Sequence, residues 1–426
     1  MLGNRVKEWL DLQLLEVQCG FRPGRGCVDA AFSLRQLHEN AVRRGQKLIT
    51  SFIDLSKAYD SINRPLAWQV FERRGMPPKL VALLRDLHQG TSCALKEDHK
   101  SPSSWFEVKT GFKQGDVNAP MLFNLFIDTV MRCLEPVLRQ SGIKFIYRID
   151  GQLRECSNRD LHEIAWALMY ADDIALMTET EEQMQAALEL VDCTFSQWGL
   201  ELSIKKTKVM GVGCPEPSDV VLSRGCIQAV SQFKYLGGVL SSDNMLQSEL
   251  AMRISKAAGA FHRLRKLWGD AHLARTVKCS VYKSIVLATL LYGCEAWSAS
   301  QSQIAELQTF HMRCLRRICR ISLWQKKTNQ EIMGLCGMEA IGALISYRRL
   351  RWLGHMARMA DDRLPKQLLF GGIALQSKPS VGRPPKCWQD YVREDLARLQ
   401  MPYNWYKLAQ DRETWRCRIQ RLLVHI

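Results

Sequence analysis

The run "LMYADDIALMT", residues 168 to 178, constrains the fold more than any other stretch of the chain. Two apolar arms, "ALMY" and "IALMT", flank adjacent carboxylates. Only a reversal between the arms buries both while leaving Asp172 and Asp173 near water. The pattern predicts a β-hairpin with Tyr170, Ala171, Asp172 and Asp173 in its tight turn. Neighbouring carboxylates repel and are costly to desolvate, so a partly buried pair calls for a compensating cation. An exposed turn, where aspartates are common and idle, is the other reading of these residues.

A third carboxylate shifts the balance. Asp54 ends the apolar strand "LITSFID", and "DLSKAYDSI" is expected to turn into a helix. Two metal ions about 3.5–4 Å apart need several hard oxygen ligands converging from separate strands. Asp54 at a strand end and Asp172 and Asp173 at a hairpin turn could supply them.

With 426 residues, 46% apolar and 24% charged, the chain is an ordinary globular sequence with material for two or three domains. No apolar run reaches the length of a membrane span; "SIVLATLLYG" is too short. The opening "MLGNRVKEWLDLQ" shows neither a secretory nor a mitochondrial presequence. These features read as soluble and intracellular, in nucleus or cytoplasm, with no membrane partner. The 15 cysteines are scattered without a CxxC pair, which argues against a zinc ribbon and a disulfide-stapled secreted fold. Reduced, mostly buried thiols are expected. Cys314, Cys319, Cys336 and His355 could meet around zinc, although their spacing matches no standard zinc knuckle.

Charge is distributed unevenly. Residues 1–250 hold 29 Lys and Arg against 31 Asp and Glu, net −2, whereas residues 251–426 hold 30 against 12, net +18. So basic a rear half favours a polyanionic partner, and phosphate backbones are the commonest. Aromatics interleave with the arginines in "FHRLRKLW", "RRLRWLGHMARM" and "ETWRCRIQR". They offer stacking faces, with Trp352 and Trp415 as candidates, though at helical spacing many must be core.

Gly, Pro and Ser mark breaks at "GVGCPEPSDV" and "GGIALQSKPSVGRPPK". "CVDAAFSLRQLHENAVRRG" has helical spacing and ends on Gly45, a C-cap, before the strand "QKLITSFIDL". Beyond residue 240 the pattern is almost wholly helical, as in "SELAMRISKAAGAFHRLRKLW" and "IAELQTFHMRCLRRIC". "ADDRLP", with Asp361 and Asp362, lacks flanking strands and reads as a loop.

The blocks "QCGFRPGRGCVDA", "FIDLSKAYDSI", "GFKQGDVNAPMLFNLFID", "MYADDIALM", "GLELSIKKTKVMG" and "FKYLGG" occur in this order. Together they resemble the reverse transcriptases of non-LTR, LINE-type retrotransposons. "LLYGCEAW", "RRLRWLGHMARM", "GRPPKCWQDYVREDL" and "LAQDRETWR" resemble the thumb and C-terminal region of the same elements. The resemblance implies an α+β right-hand polymerase. Partial fingers and palm would span 1–240, a helical thumb 241–340, and a basic, mostly helical nucleic-acid-binding region 341–426. The family usually carries an endonuclease and further fingers sequence ahead of "QCGFR".

By that resemblance, Asp54, Asp172 and Asp173 are the catalytic aspartates, binding two Mg2+ ions, or Mn2+, with the Leu55 carbonyl. Lys206 would protonate the departing pyrophosphate, with Lys205 and Lys208 as rivals. Tyr59 would lie under the sugar and exclude a 2′-hydroxyl. Gln114 and Gly115 would hold the nucleotide, Arg22 and Arg25 would lie near its triphosphate, and Pro120 would open the following helix. The family more often has Arg where this chain has Lys113, and Asn where it has Ser203. The implied activity is RNA-directed DNA polymerisation, with an RNA template, a DNA primer and dNTPs as partners. The alternative is a non-catalytic nucleic-acid-binding remnant or a maturase-like RNA-binding factor. The sequence is silent on oligomeric state.

Overall fold

The computed structural model describes residues 2–96, 103–113, 115–149, 153, 161–214, 217–373 and 386–424. The chain forms two compact units. One comprises residues 1–30, 47–144 and 163–230, the other residues 31–46, 145–162 and 231–426. The expected α+β class holds, but the units are discontinuous and do not divide at residue 240.

The first unit is built on a four-stranded sheet. Its strands are β1 (Leu48–Ile53), β2 (Ala167–Tyr170), β3 (Asp173–Thr178) and β4 (Lys208–Val212), in the order β2-β3-β1-β4, with every neighbour antiparallel. All six residues of β1 are buried, which explains why "LITSFI" runs apolar and β-branched without alternation. Helix Glu181–Gln197, opened by a reciprocal Thr180/Gln183 capping box, packs against β1 and β3. Helix Ala119–Leu138 has Pro120 in its first turn, as expected, where the missing N–H costs nothing. It buries most of its residues, among them two polar ones, Asn124 and Asp128. Asp128 is satisfied by the Leu15 amide at 2.6 Å, Arg132 at 2.9 Å and Arg74 at 3.2 Å.

One expectation here fails. Residues 54–62 form turns, and the next helix, Arg64–Arg73, begins only after Asn63 caps it. Lys57 sits at φ +50° with its carbonyl taking the amides of Asp60 and Ser61, a turn that does not propagate.

In the second unit, helix Cys27–Arg44, closed by Gly45 at φ +63°, sends its later turns into the core of the rear half. Positions 32, 36 and 39 share a helical face. Phe32 packs edge-on against Trp388 at 4.9 Å, Gln36 accepts from Gln389 at 3.1 Å, and the half-buried Glu39 takes the Trp388 amide at 3.0 Å and the Ser298 hydroxyl. Helices Gln247–Arg263, Arg265–Gly269, Gln301–Cys319, Asn329–Cys336, Ile341–Ala357, Trp388–Arg398 and Arg412–Val424 make most of the rest, in line with the helical pattern. Trp352 and Trp415 are core residues: both are buried, and the Trp415 indole donates to the Leu350 carbonyl at 2.9 Å. That removes them as stacking faces.

Of the 14 described cysteines only Cys19, Cys279, Cys294, Cys314, Cys336 and Cys387 are buried, fewer than expected. Cys319 and Cys336 lie 3.2 Å apart, but His355 packs at a tilt against Trp352 instead. Among the described residues no group of three or more His, Cys, Asp or Glu side chains is gathered as a metal site, so the zinc reading fails. Asp361 lies in a turn, where it takes an ion pair from the buried Lys366 at 2.8 Å. Among the described residues no helix is long and apolar enough to cross a membrane.

Candidate active site

The hairpin forms as the sequence implies, with Tyr170 opposite Asp173 and Met169 opposite Ile174. β1 runs beside β3 with Ile53 opposite Ile174. One step further in that register puts Asp54 beside Asp173 at the same sheet edge, within reach of a cross-strand pair. Asp54 is fixed by its backbone: its carbonyl takes the Ser203 amide at 2.8 Å, and its amide donates to the Thr207 hydroxyl at 3.2 Å. Those bonds also hold the turn that carries Lys206, whose Nζ reaches Asp54 Oδ2 at 3.2 Å. That Oδ2 is buried and makes no hydrogen bond of good geometry, so the ammonium serves it as a charge partner only. Lys208 donates to Gln228 at 2.8 Å, which sets it apart from Lys206.

The acids feel one another. Asp172 is raised above the usual carboxylate range by partial desolvation and by repulsion from Asp54, offset by Lys206. Asp173 is pushed up to about 6 by desolvation at the turn, then by Asp172 and Asp54. Since the Asp173 side chain is itself exposed, the neighbouring charges carry more of that effect than its own burial does. Three hard oxygen donors with one ammonium between them form an under-neutralised cluster, the donor set a divalent cation suits. The acids are neighbours rather than a closed cage, because no preformed metal-binding group exists among the described residues.

Tyr59 is half-buried and stacked on Phe123, 4.4 Å between ring centroids and 22° between planes. Burial and the charge of Asp172 push its hydroxyl pKa upward. Gly111, at φ +77°, passes so close to Tyr59 and Asp60 that a Cβ there would fall 2.7 Å from the Tyr59 carbonyl oxygen. Gly115 also has positive φ, +92°, with open space around it; Gln114 lies outside the described residues. Leu55 is buried beside Leu202.

The two arginines of "GFRPGRG" are engaged within the protein. Arg22 is buried, pairs with Asp11 at 2.7 Å and donates to the Leu15 carbonyl at 2.8 Å and the Asp11 carbonyl at 2.8 Å. Arg25 donates to the Glu16 carbonyl at 2.9 Å and pairs with its carboxylate. Both staple residues 11–25 into a fixed loop.

That loop holds residues the sequence did not flag. Val17–Cys19 pairs alongside β2: the Met169 amide donates to the Val17 carbonyl at 2.9 Å, and the Cys19 amide to the Met169 carbonyl at 2.8 Å. The buried Gln18 turns its Oε1 to the amides of Gly20 and Ala171, both at 2.9 Å. Ala171 has φ +56°, a left-handed conformation that costs a non-glycine residue about 1 kcal/mol. Gln18 therefore holds the turn that presents Asp172 and Asp173. Asn124 completes the arrangement by donating to the Gly20 carbonyl at 2.7 Å. The signal available beforehand was Asn124 itself, one amide inside the apolar run "MLFNLFI", which has to find a buried partner.

Residues 1–240 match the family model for reverse transcriptase (RNA-dependent DNA polymerase). A putative uncharacterized transposon-derived protein of Caenorhabditis elegans is 28% identical over 266 residues, covering 60% of this chain and 95% of that protein. The retrovirus-related Pol polyproteins of R2 elements from Drosophila melanogaster and Nasonia vitripennis are 26% and 25% identical over 52% and 50% of the chain. The chain spans only 20% and 19% of those polyproteins. Among solved structures, apo telomerase from Candida tropicalis aligns over 87% of this chain and 62% of its own, at 12% identity and a TM-score of 0.41. With more than half of its length matched by that one model, the chain belongs to the reverse transcriptase (RNA-dependent DNA polymerase) family.

Proposed function

We propose that the chain extends a DNA primer on an RNA template with dNTPs, as the polymerase of a non-LTR retrotransposon. The observation that carries this reading is the cluster of Asp54, Asp172, Asp173 and Lys206 at one sheet edge, in a chain of this family. Asp54, Asp172 and Asp173, with the Leu55 carbonyl, would hold two divalent ions, Mg2+ by preference. Bound there, they would acidify the primer hydroxyl and neutralise the charge developing on the triphosphate.

The chain's own residues do the remainder. Lys206, paired with Asp54 at 3.2 Å, would on release give a proton to the departing pyrophosphate. Tyr59, braced by Phe123, walls the sugar pocket against a 2′-hydroxyl. Gly115 and Gln114 would hold the nucleotide, as the resemblance implies, and Arg22 and Arg25 would keep the loop of residues 11–25 in place through Asp11 and Glu16. The sheet unit corresponds to palm and partial fingers. The helical unit, net basic through residues 251–426, corresponds to thumb and C-terminal region and grips phosphates.

The test is primer extension by purified protein on poly(rA)/oligo(dT), with Asp172→Ala as the control. Metal-dependent synthesis that the substitution abolishes supports the reading. Tight binding without synthesis would favour the non-catalytic RNA-binding alternative.

A further inference from the structure

The helical unit carries an open cleft of about 1170 Å3 between helices Gln247–Arg263, Arg265–Gly269 and Gln301–Cys319 and the turn Leu323–Gln325. Its volume exceeds the ~300–1,000 Å3 of ordinary small-molecule sites. The chemistry of its walls is one-sided. Phe261 and Trp268, stacked at 4.9 Å and 14°, form part of its lining. Arg313, Arg316, Arg317 and Arg320 line it as well, and among the described residues no Asp or Glu does.

Spacing explains most of the arginine array: positions 313, 316 and 317 fall three and four apart, so one helical edge presents them, and Arg320 follows at the helix's left-handed C-cap, φ +56°. Two of them are tied down. Arg316 donates to the Lys327 carbonyl at 2.9 Å and Asn329 at 3.1 Å, and Arg320 donates to the Gly269 carbonyl. Arg316 still keeps Nη1 buried without a partner. The guanidinium groups of Arg313 and Arg317 are exposed and make no hydrogen bond or ion pair among the described residues. Directly after the lining residue Leu323, Trp324 is 93% exposed, the most exposed of the large apolar side chains. Lys326 and Lys327 follow it.

We propose that this cleft is a binding site for a single strand of nucleic acid, with phosphates on the arginine edge and a base stacked on Trp324. Four guanidinium groups with no counter-charge repel one another until an anion arrives, and their planar forks match phosphate oxygens. An acidic peptide would answer the arginines but leave the indole in water. A duplex would answer them too, but its bases are already stacked on each other and offer no free face. An unpaired strand satisfies both halves of the site. The inference rests on the reading of the chain as a nucleic-acid enzyme and adds a place for unpaired template, RNA or DNA, away from the carboxylates.

The experiment uses the full chain without nucleotide or metal, so its outcome does not depend on whether the protein extends a primer. Fluorescein-labelled U12, dT12 and a 12-base-pair duplex are titrated by anisotropy at 50 and 200 mM salt, with wild type, Trp324→Ala and the double variant Arg313→Ala/Arg317→Ala. Trp324→Ala should weaken single-strand binding about tenfold at both salts, as expected for one stacked base. The double variant should lower the single-strand salt slope by about 1.4, or 0.7 for each phosphate released. Duplex affinity should fall much less in both, and the U12 to dT12 ratio reports which strand the site prefers. Single-strand binding that neither variant changes, or equal losses on duplex and single strand, overturns the proposal.

Discussion

Gly20→Ala tests whether the loop of residues 11–25 positions the turn that carries Asp172 and Asp173. Gly20 has no positive φ, so alanine strains nothing in the backbone there, and by itself the change should stabilise slightly through the unfolded chain. The problem is contact. An added Cβ falls 2.5 Å from the Ala171 nitrogen, 3.0 Å from the Tyr170 carbonyl carbon and 3.1 Å from Gln18 Oε1, where ordinary contact begins at 3.4 Å. Two of these neighbours are backbone, and the third is held by two hydrogen bonds, so no flexible tip can swing aside. Nor can the loop retreat freely, since Asn124 holds the Gly20 carbonyl and Met169 holds Cys19. The shortfall of about 0.9 Å must be shared with the turn that carries Asp172 and Asp173. A displacement near 1 Å at reacting groups costs about a hundredfold, so kcat should fall roughly 10- to 100-fold. Overpacking of this kind also costs about 1–3 kcal/mol of stability. Single-turnover primer extension and thermal melting measure both. Gly26→Ala is the control in the same loop, where the nearest atom to a new Cβ is Asp29 Oδ2 at 3.9 Å. A Gly20→Ala protein within twofold of wild type, or no worse than Gly26→Ala, would refute the claim that this loop sets the turn.

Further expectations concern charge and sugar selection. Asp173 titrates at about 6 in the fold, above its ordinary value. Its charge therefore opposes folding at full strength above pH 6, and the penalty fades as pH falls towards 4. Asp173→Asn should accordingly melt higher than wild type in EDTA at pH 7.5, with the gap closing near pH 4; an offset independent of pH counts against the cluster. Tyr59→Ala should accept ribonucleotides while keeping dNTP use, and an unchanged dNTP/rNTP ratio in an active variant would make Tyr59 a packing residue only. Duplex affinity of the full chain should fall with salt at a log–log slope near 0.9 per phosphate contacted, about a thousandfold between 50 and 200 mM for several contacts. A slope near zero would leave the net +18 of residues 251–426 as solvated surface.

The hairpin, the strand ending in Asp54 and the helical rear half were legible because each is a local pattern: two apolar arms about a turn, a β-branched run, apolar residues three and four apart. What escaped was set by partners far along the chain. Nothing near Cys27–Arg44 reveals that Phe32, Gln36 and Glu39 face residues beyond 290. Arg22 and Arg25 have the residue type a triphosphate wants, but sequence cannot show that Asp11 and Glu16 already hold them. The aromatics of the rear half illustrate the same limit. Trp415 and Trp324 both lie beside basic residues, yet one is 2% exposed and the other 93%.

The stability of the carboxylate-bearing sheet edge follows from these same contacts. Ala171 is in a disfavoured conformation, two carboxylates titrate high, and an oxygen of Asp54 is buried with only an ammonium beside it. Each feature costs stability, and each persists because its surroundings over-determine it: Gln18 and Gly20 for the turn, Thr207 and Ser203 for Asp54. The strain stops where a cation would relieve it. Gln18, though buried, carries no charge, so it can fix the turn without adding to the repulsion; a glutamate there would supply the same acceptor and a fourth negative charge. The cluster thus keeps three carboxylates and one displaceable ammonium, the hard-oxygen donor set that the proposed function would use to hold a divalent cation.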